Sequence, residues 1–173
     1  MTAIEKPRKN ILMRRACYAL VLFVLSVIQN TDGFFPAPFA VRAIPLIPAV
    51  VCIAMNERDV PGMFFGLFAG TLWDISASGS NFNALFLLTV GFLCGTLINT
   101  IMRNNIVTAL LLSAAALLIY NTGYWVFQYV FRAFEAPAHM LLRYYLPGAA
   151  YTLALMPFMF FGIRAIERAF RTE

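Results

Sequence analysis

Residues 60–102 read VPGMFFGLFAGTLWDISASGSNFNALFLLTVGFLCGTLINTIM, two apolar runs joined by a short polar stretch of small residues. The first run, Val60–Trp73, carries Gly62, Gly66 and Gly70 at four-residue spacing, and Asp74 continues the series. On a helix of 3.6 residues per turn such positions form one slowly winding stripe. A stripe of glycines lets another backbone approach closely, which is how helices associate in lipid, where apolar side chains gain little by leaving the hydrocarbon. Gly91 and Gly95 repeat the spacing in the second run, Phe82–Met102, and make it the natural internal partner. Internal packing is therefore the favoured role for these glycines over docking of another protein. From Val60 to Asp74 there are only 15 residues, about 22 Å of helix against about 30 Å of hydrocarbon. Asp74 is expected to end below the outer headgroups, at the negative end of its own helix dipole, where a carboxylate needs donors, a cation or water. Ser76, Ser78, Ser80, Asn81 and Asn83, around Gly79, supply donors in a polar turn expected to dip into the bundle. A hydrogen-bonded structural acid and a functional acid both stay open for Asp74.

Four more apolar runs flank this pair: Ala16–Asn30, Phe39–Met55, Ile106–Tyr129 and Tyr145–Ile163. Six runs in 173 residues leave no room for a separate globular domain. The chain reads as one integral membrane domain over residues 1–173, all-α, with six transmembrane helices. A short basic segment 1–15 precedes the spans and an amphipathic segment 164–173 follows them. Composition agrees: 61% of residues are hydrophobic and 12% charged, where a soluble domain carries about 45–50% and about 25%. Mean hydropathy is +0.77. The connections are short, so neighbouring helices run antiparallel. Pro45, Pro48 and Pro157 are expected to bend their helices.

Orientation follows from the basic residues. With the N-terminus inside, Lys6, Arg8, Lys9, Arg14, Arg15, Arg58, Arg103, Arg164, Arg168 and Arg171 fall on the inner side, against Arg42, Arg132 and Arg143 outside. That bias places both termini in the cytoplasm. Phe34, Phe35, Tyr124, Trp125, Tyr144 and Tyr145 fall near the outer boundary, where amphipathic rings settle. The first run lacks an A-x-A cleavage site and is expected to be retained. The C-terminal Ile163, Ile166 and Phe170, interleaved with arginines, read as a helix end against the anionic inner leaflet.

The net charge of +5 does not point to nucleic acid, because the basic residues lie between apolar runs without interleaved stacking aromatics. Cys17, Cys52 and Cys94 sit in three different runs and read as packing residues. Gln29, Asn99, Asn121 and Gln128 read as hydrogen-bonding groups between helices. His139 is the only histidine, which argues against a metal site. No phosphate-binding loop, G-x-S-x-G or H-E-x-x-H motif occurs. No catalytic residue, metal ligand or cofactor is expected; the expected partners are the lipid bilayer and other membrane proteins.

The run from Pro61 to Leu97, with Gly62, Gly66, Gly70, Asp74, Gly79, Gly91 and Gly95, resembles the central signature of the rod shape-determining protein MreD family. Size, six spans, the basic N-terminus and a late span beginning near Leu146-Pro147 are similar in layout. The resemblance implies a non-enzymatic scaffold subunit of the bacterial cell-elongation complex in the cytoplasmic membrane. It would partner an MreC-like protein and act with MreB, RodA and a class B penicillin-binding protein in sidewall peptidoglycan synthesis. On that reading, leucine at Gly66 or Gly70 is expected to separate the complex. The six-helix layout also resembles the substrate-binding subunit of energy-coupling-factor vitamin transporters. Asp32, Asp74, Glu135, Arg132, Arg143 and Trp125 would then frame an outer pocket.

Overall fold

The structure is a computed structural model that describes residues 5–31, 43–76, 82–126 and 145–170, with side chains from residue 10 onward. Six helices account for most of these residues: α1 (Glu5–Asn30), α2 (Leu46–Glu57), α3 (Asp59–Ser76), α4 (Asn83–Thr100), α5 (Ile106–Trp125) and α6 (Leu146–Ala169).

Helix α2 is the axis. Every residue from Leu46 to Met55, together with Glu57, is buried. The other five helices all touch α2 and form a ring about it in the order α1, α3, α4, α5, α6, with α6 returning to α1. The α3–α4 contact is by far the most extensive, whereas α4 and α5 meet sparingly. A helix apolar on all sides can sit in lipid or in a core; here it is the core.

The prolines of this region start a helix and do not bend one. Pro45 stands at the N-cap and Pro48 in the first turn of α2, where the missing N–H would have had no intrahelical partner. Two N–H groups at this end find side-chain acceptors on other helices: Leu46 donates to Gln29 Oε1 at 3.2 Å, and Ile44 to Thr152 Oγ1 at 3.0 Å. Residues 32–42, including the expected start of the second run at Phe39, lie outside the described residues. Pro157 does lie inside its helix, α6.

Several boundaries differ from the sequence reading. Helix α1 begins at Glu5, so most of the basic N-terminal segment continues the first span as helix. Helix α6 runs through Arg164 and Arg168 to Ala169, which merges the expected C-terminal segment with the last span. Helix α3 has 18 residues, Asp59–Ser76, about 27 Å, and is not cut short at Asp74. Between α2 and α3 only Arg58 is non-helical, at φ 76°, and this single residue reverses the chain.

Four helices are long and apolar enough to cross a membrane: α1 over Asn10–Asn30, α4, α5 and α6. Helix α2, at 12 residues, is shorter. Helix α3 matches the others in length but holds Asp59 and Asp74. The outer face of the ring is apolar. Leu20, Phe23, Val27, Phe64, Leu85, Leu93, Leu111, Leu118, Phe158 and Phe161 are all exposed, a belt far larger than soluble monomers present to water. These helices mark the chain as a membrane protein.

Candidate functional site

The glycine stripe of α3 faces α4 inside the molecule. A Cβ placed on Gly62 would stand 2.9 Å from both the Gly91 carbonyl oxygen and the Ala54 Cβ. At Gly66 it would meet Leu87 C at 2.7 Å, and at Gly70 the Asn83 carbonyl oxygen at 2.6 Å. From the α4 side, Gly91 would meet Gly62 C at 2.9 Å and Gly95 the Asp59 Cα at 2.6 Å. The obstacles are mostly backbone, which cannot swing aside as a side-chain tip can. All five glycines are used up on one intramolecular seam. A leucine at Gly66 or Gly70 would therefore open the α3–α4 pair itself, so it cannot report on a partner as the sequence reading had it. Gly123 and Gly162, by contrast, face open space.

The seam closes at one end on Asp74. Its Oδ2 accepts the Ala84 N–H at 2.9 Å and its Oδ1 the Asn83 N–H at 3.3 Å. These are first-turn donors of α4, which have no partner within their own helix. The carboxylate thus leaves the negative end of α3's dipole for the positive end of α4's. No local N-cap side chain serves α4; the cap comes from the neighbouring helix. Asn83 carries the connection further, its Oδ1 accepting the Tyr120 hydroxyl of α5 at 2.9 Å. Trp73 and Phe86 pack on Tyr120 with ring centroids 5.3 and 5.2 Å away, and Tyr124 stacks at 6.2 Å. Tyr145 follows at 6.3 Å from Tyr124, and its carbonyl accepts from Asn121 Nδ2 at 3.4 Å. Of the expected donors, Ser76 bonds Leu72 O in its own helix. Gly79, Asn81, Ser78 and Ser80 lie outside the described residues, as do His139, Gln128, Asp32, Arg132, Glu135 and Arg143.

The opposite end is polar too. Glu57, with its side chain only 1% exposed, is held between two arginines of α1. Arg14 reaches Oε1 through Nη2 at 2.5 Å and Nε at 2.7 Å, and Arg15 Nε reaches Oε2 at 2.9 Å. Asn104, between α4 and α5, donates to Asn56 Oδ1 at 2.6 Å and to the Met55 carbonyl at 3.3 Å. Asn99 donates to Asp59, joining α4 to the start of α3. The basic N-terminal half of α1, the α2–α3 turn and the α4–α5 turn thus gather at one end of the bundle. The chain matches no protein-family model, no curated protein and no solved structure.

Sequence reasoning missed Glu57, which lies between two apolar runs, in the short stretch from Met55 to Val60. Its partners lie 42 and 43 residues away, and nothing local announces them. The arginine doublet beside the first apolar run was counted only toward orientation. Among the described residues no three His, Cys, Asp or Glu side chains are grouped to hold a metal. Cys52 and Cys94 are buried and Cys17 half-buried, all as free thiols.

Proposed function

We propose that this chain is a six-span scaffold of the bacterial cytoplasmic membrane with both termini inside, and that it serves the cell-elongation machinery as an MreD-type subunit beside an MreC-like partner. The observation that carries the reading is how the signature residues are employed. Gly62, Gly66, Gly70, Gly91 and Gly95 all serve backbone contact, and Asp74 is committed to the α4 cap. Residues used this way make a rigid body on which other membrane proteins assemble; they do not position a substrate.

Two helices complete the six spans. Helix α3 is of spanning length, with its acids at the two ends. Helix α2 is sheltered on every side by the ring, and a helix that meets protein along its length need not match the hydrocarbon thickness. Arg14, Arg15, Arg58 and Arg103, four of the described arginines, share the end that this reading assigns to the cytoplasm, in keeping with the positive-inside bias.

The test is depletion in a rod-shaped host, with co-purification of an MreC-like protein from the same strain. Rounded cells and recovery of that protein are the expected result. Unaltered rods, together with a tightly held vitamin in the purified chain, would replace this reading with the transporter subunit.

A further inference from the structure

Beside the seam, α1 and α3 leave an apolar groove of about 330 Å³ lined by Ala19, Val60, Pro61, Phe64, Phe65 and Phe68, with Arg15 at one end. The α3 residues fall at i, i+1, i+4, i+5 and i+8, one face of a helix turned outward. Val60, Phe64 and Phe68 are exposed. Ala19 stands one turn after Arg15 on α1, and its small side chain keeps the groove open where a larger residue would fill it.

The ion triad at the end of the groove is unbalanced. Two guanidinium groups meet a single carboxylate at Glu57, and the triad carries one net positive charge. Arg14 is the more enclosed partner and contacts Glu57 through two nitrogens; Arg15 contacts it only through Nε and keeps 45% of its side chain exposed. Among the described residues Arg15 has no other ion-pair partner. A planar guanidinium with free donors takes phosphate oxygens in a forked geometry.

We infer that this groove holds an anionic phospholipid, with one acyl chain along Ala19, Phe64 and Phe68 and the phosphate on Arg15. The match is in charge and order: a cation at the bundle's basic end, then an apolar channel leading away from it. A protein helix, about 10–12 Å across, would have to bring its own acid to the depth of Arg15. A lipid of the anionic leaflet carries its charge at that level already. The inference needs only the membrane bundle, so it stands whether or not the elongation role does.

The test is native mass spectrometry of the full-length chain in detergent, with phosphatidylglycerol and phosphatidylcholine of identical acyl chains offered in equal amounts. The wild type should retain phosphatidylglycerol about fivefold over phosphatidylcholine, the weight of one basic side chain at an anionic surface. The preference should shrink in high salt, which needs no variant. Arg15→Gln should abolish the preference, and Ala19→Trp should reduce retention of both lipids. Equal retention of the two lipids by the wild type, a preference unmoved by salt or by Arg15→Gln, or retention unmoved by Ala19→Trp, would overturn the assignment. So would a cysteine at Phe68 that cross-links a protein helix in cells while the purified chain shows no preference. The groove would then belong to a partner.

Discussion

Glu57 is the residue on which the most energy turns. A carboxylate this enclosed is tolerable because Arg14 and Arg15 neutralise it and occupy both of its oxygens. Glu57→Ala leaves Arg14 half-enclosed without its counter-charge, and losing one member of a buried ion pair costs about 3–5 kcal/mol. The variant should show a much lower melting temperature in detergent, or fail to accumulate. Arg15→Gln should cost far less, because its side chain is 45% exposed and solvent screens such pairs. Equal melting of Glu57→Ala and wild type would mean the ion triad contributes nothing. Asp74 is a smaller case with a sharper discrimination. Asp74→Ala removes the acceptor for two N–H groups of α4 and should cost about 0.5–2 kcal/mol, the range of a lost N-cap. Asp74→Asn keeps an acceptor oxygen and should recover part of that. If Asp74→Asn melts like wild type yet cannot support rod shape, the carboxylate has a role beyond capping.

At the scale of the element, α3 and α4 form one unit whose glycines are not interchangeable with those elsewhere. Gly66→Ala drives a Cβ into the Leu87 backbone, and no side-chain motion can relieve it. Gly162→Ala on α6 meets open space and removes a helix-interior glycine, worth up to about 1 kcal/mol. Thermal unfolding should therefore separate the two, with Gly66→Ala strongly destabilised and Gly162→Ala level with wild type or above it. Comparable losses in both would mean that close backbone approach is not what the α3 glycines provide. This seam was legible in advance because its signal, small residues four apart in two adjacent runs, is local and periodic. The central position of α2 was not: a helix meant for the core and one meant for lipid are equally apolar, so hydropathy cannot distinguish them. The same blindness hid the helical extension of α1, since a stretch with several basic residues ends a hydropathy run without ending a helix. Asp74 was flagged as needing a partner, but the partner came from the α4 backbone, which carries no side-chain signature. Glu57 escaped notice because tertiary contact alone defines its surroundings.

For the whole molecule, the two polar ends make orientation testable. Asn105, after α4, is exposed at the end shared by Arg14, Arg15 and Glu57, whereas Phe82, before α4, is exposed at the end closed by Asp74. On the proposed topology the first end, with its excess of arginine, is the cytoplasmic one. Single cysteines at these two positions, in a background lacking Cys17, Cys52 and Cys94, report on this with a maleimide that does not cross membranes. Phe82→Cys should label in intact spheroplasts, and Asn105→Cys only after the membrane is opened. Because α4 alone separates the two positions, the pair fixes the direction of that helix whatever the loops do. Helices consecutive in the chain run antiparallel, which carries the result to every other span, and a C-terminal reporter read on the inner side should agree. The opposite labelling would turn the ion triad outward, place Asp74 in the cytoplasmic leaflet, and remove the basis for an elongation subunit with both termini inside. Labelling of both positions from outside would mean that α4 does not cross at all, and with it would fall the six-span bundle built around α2.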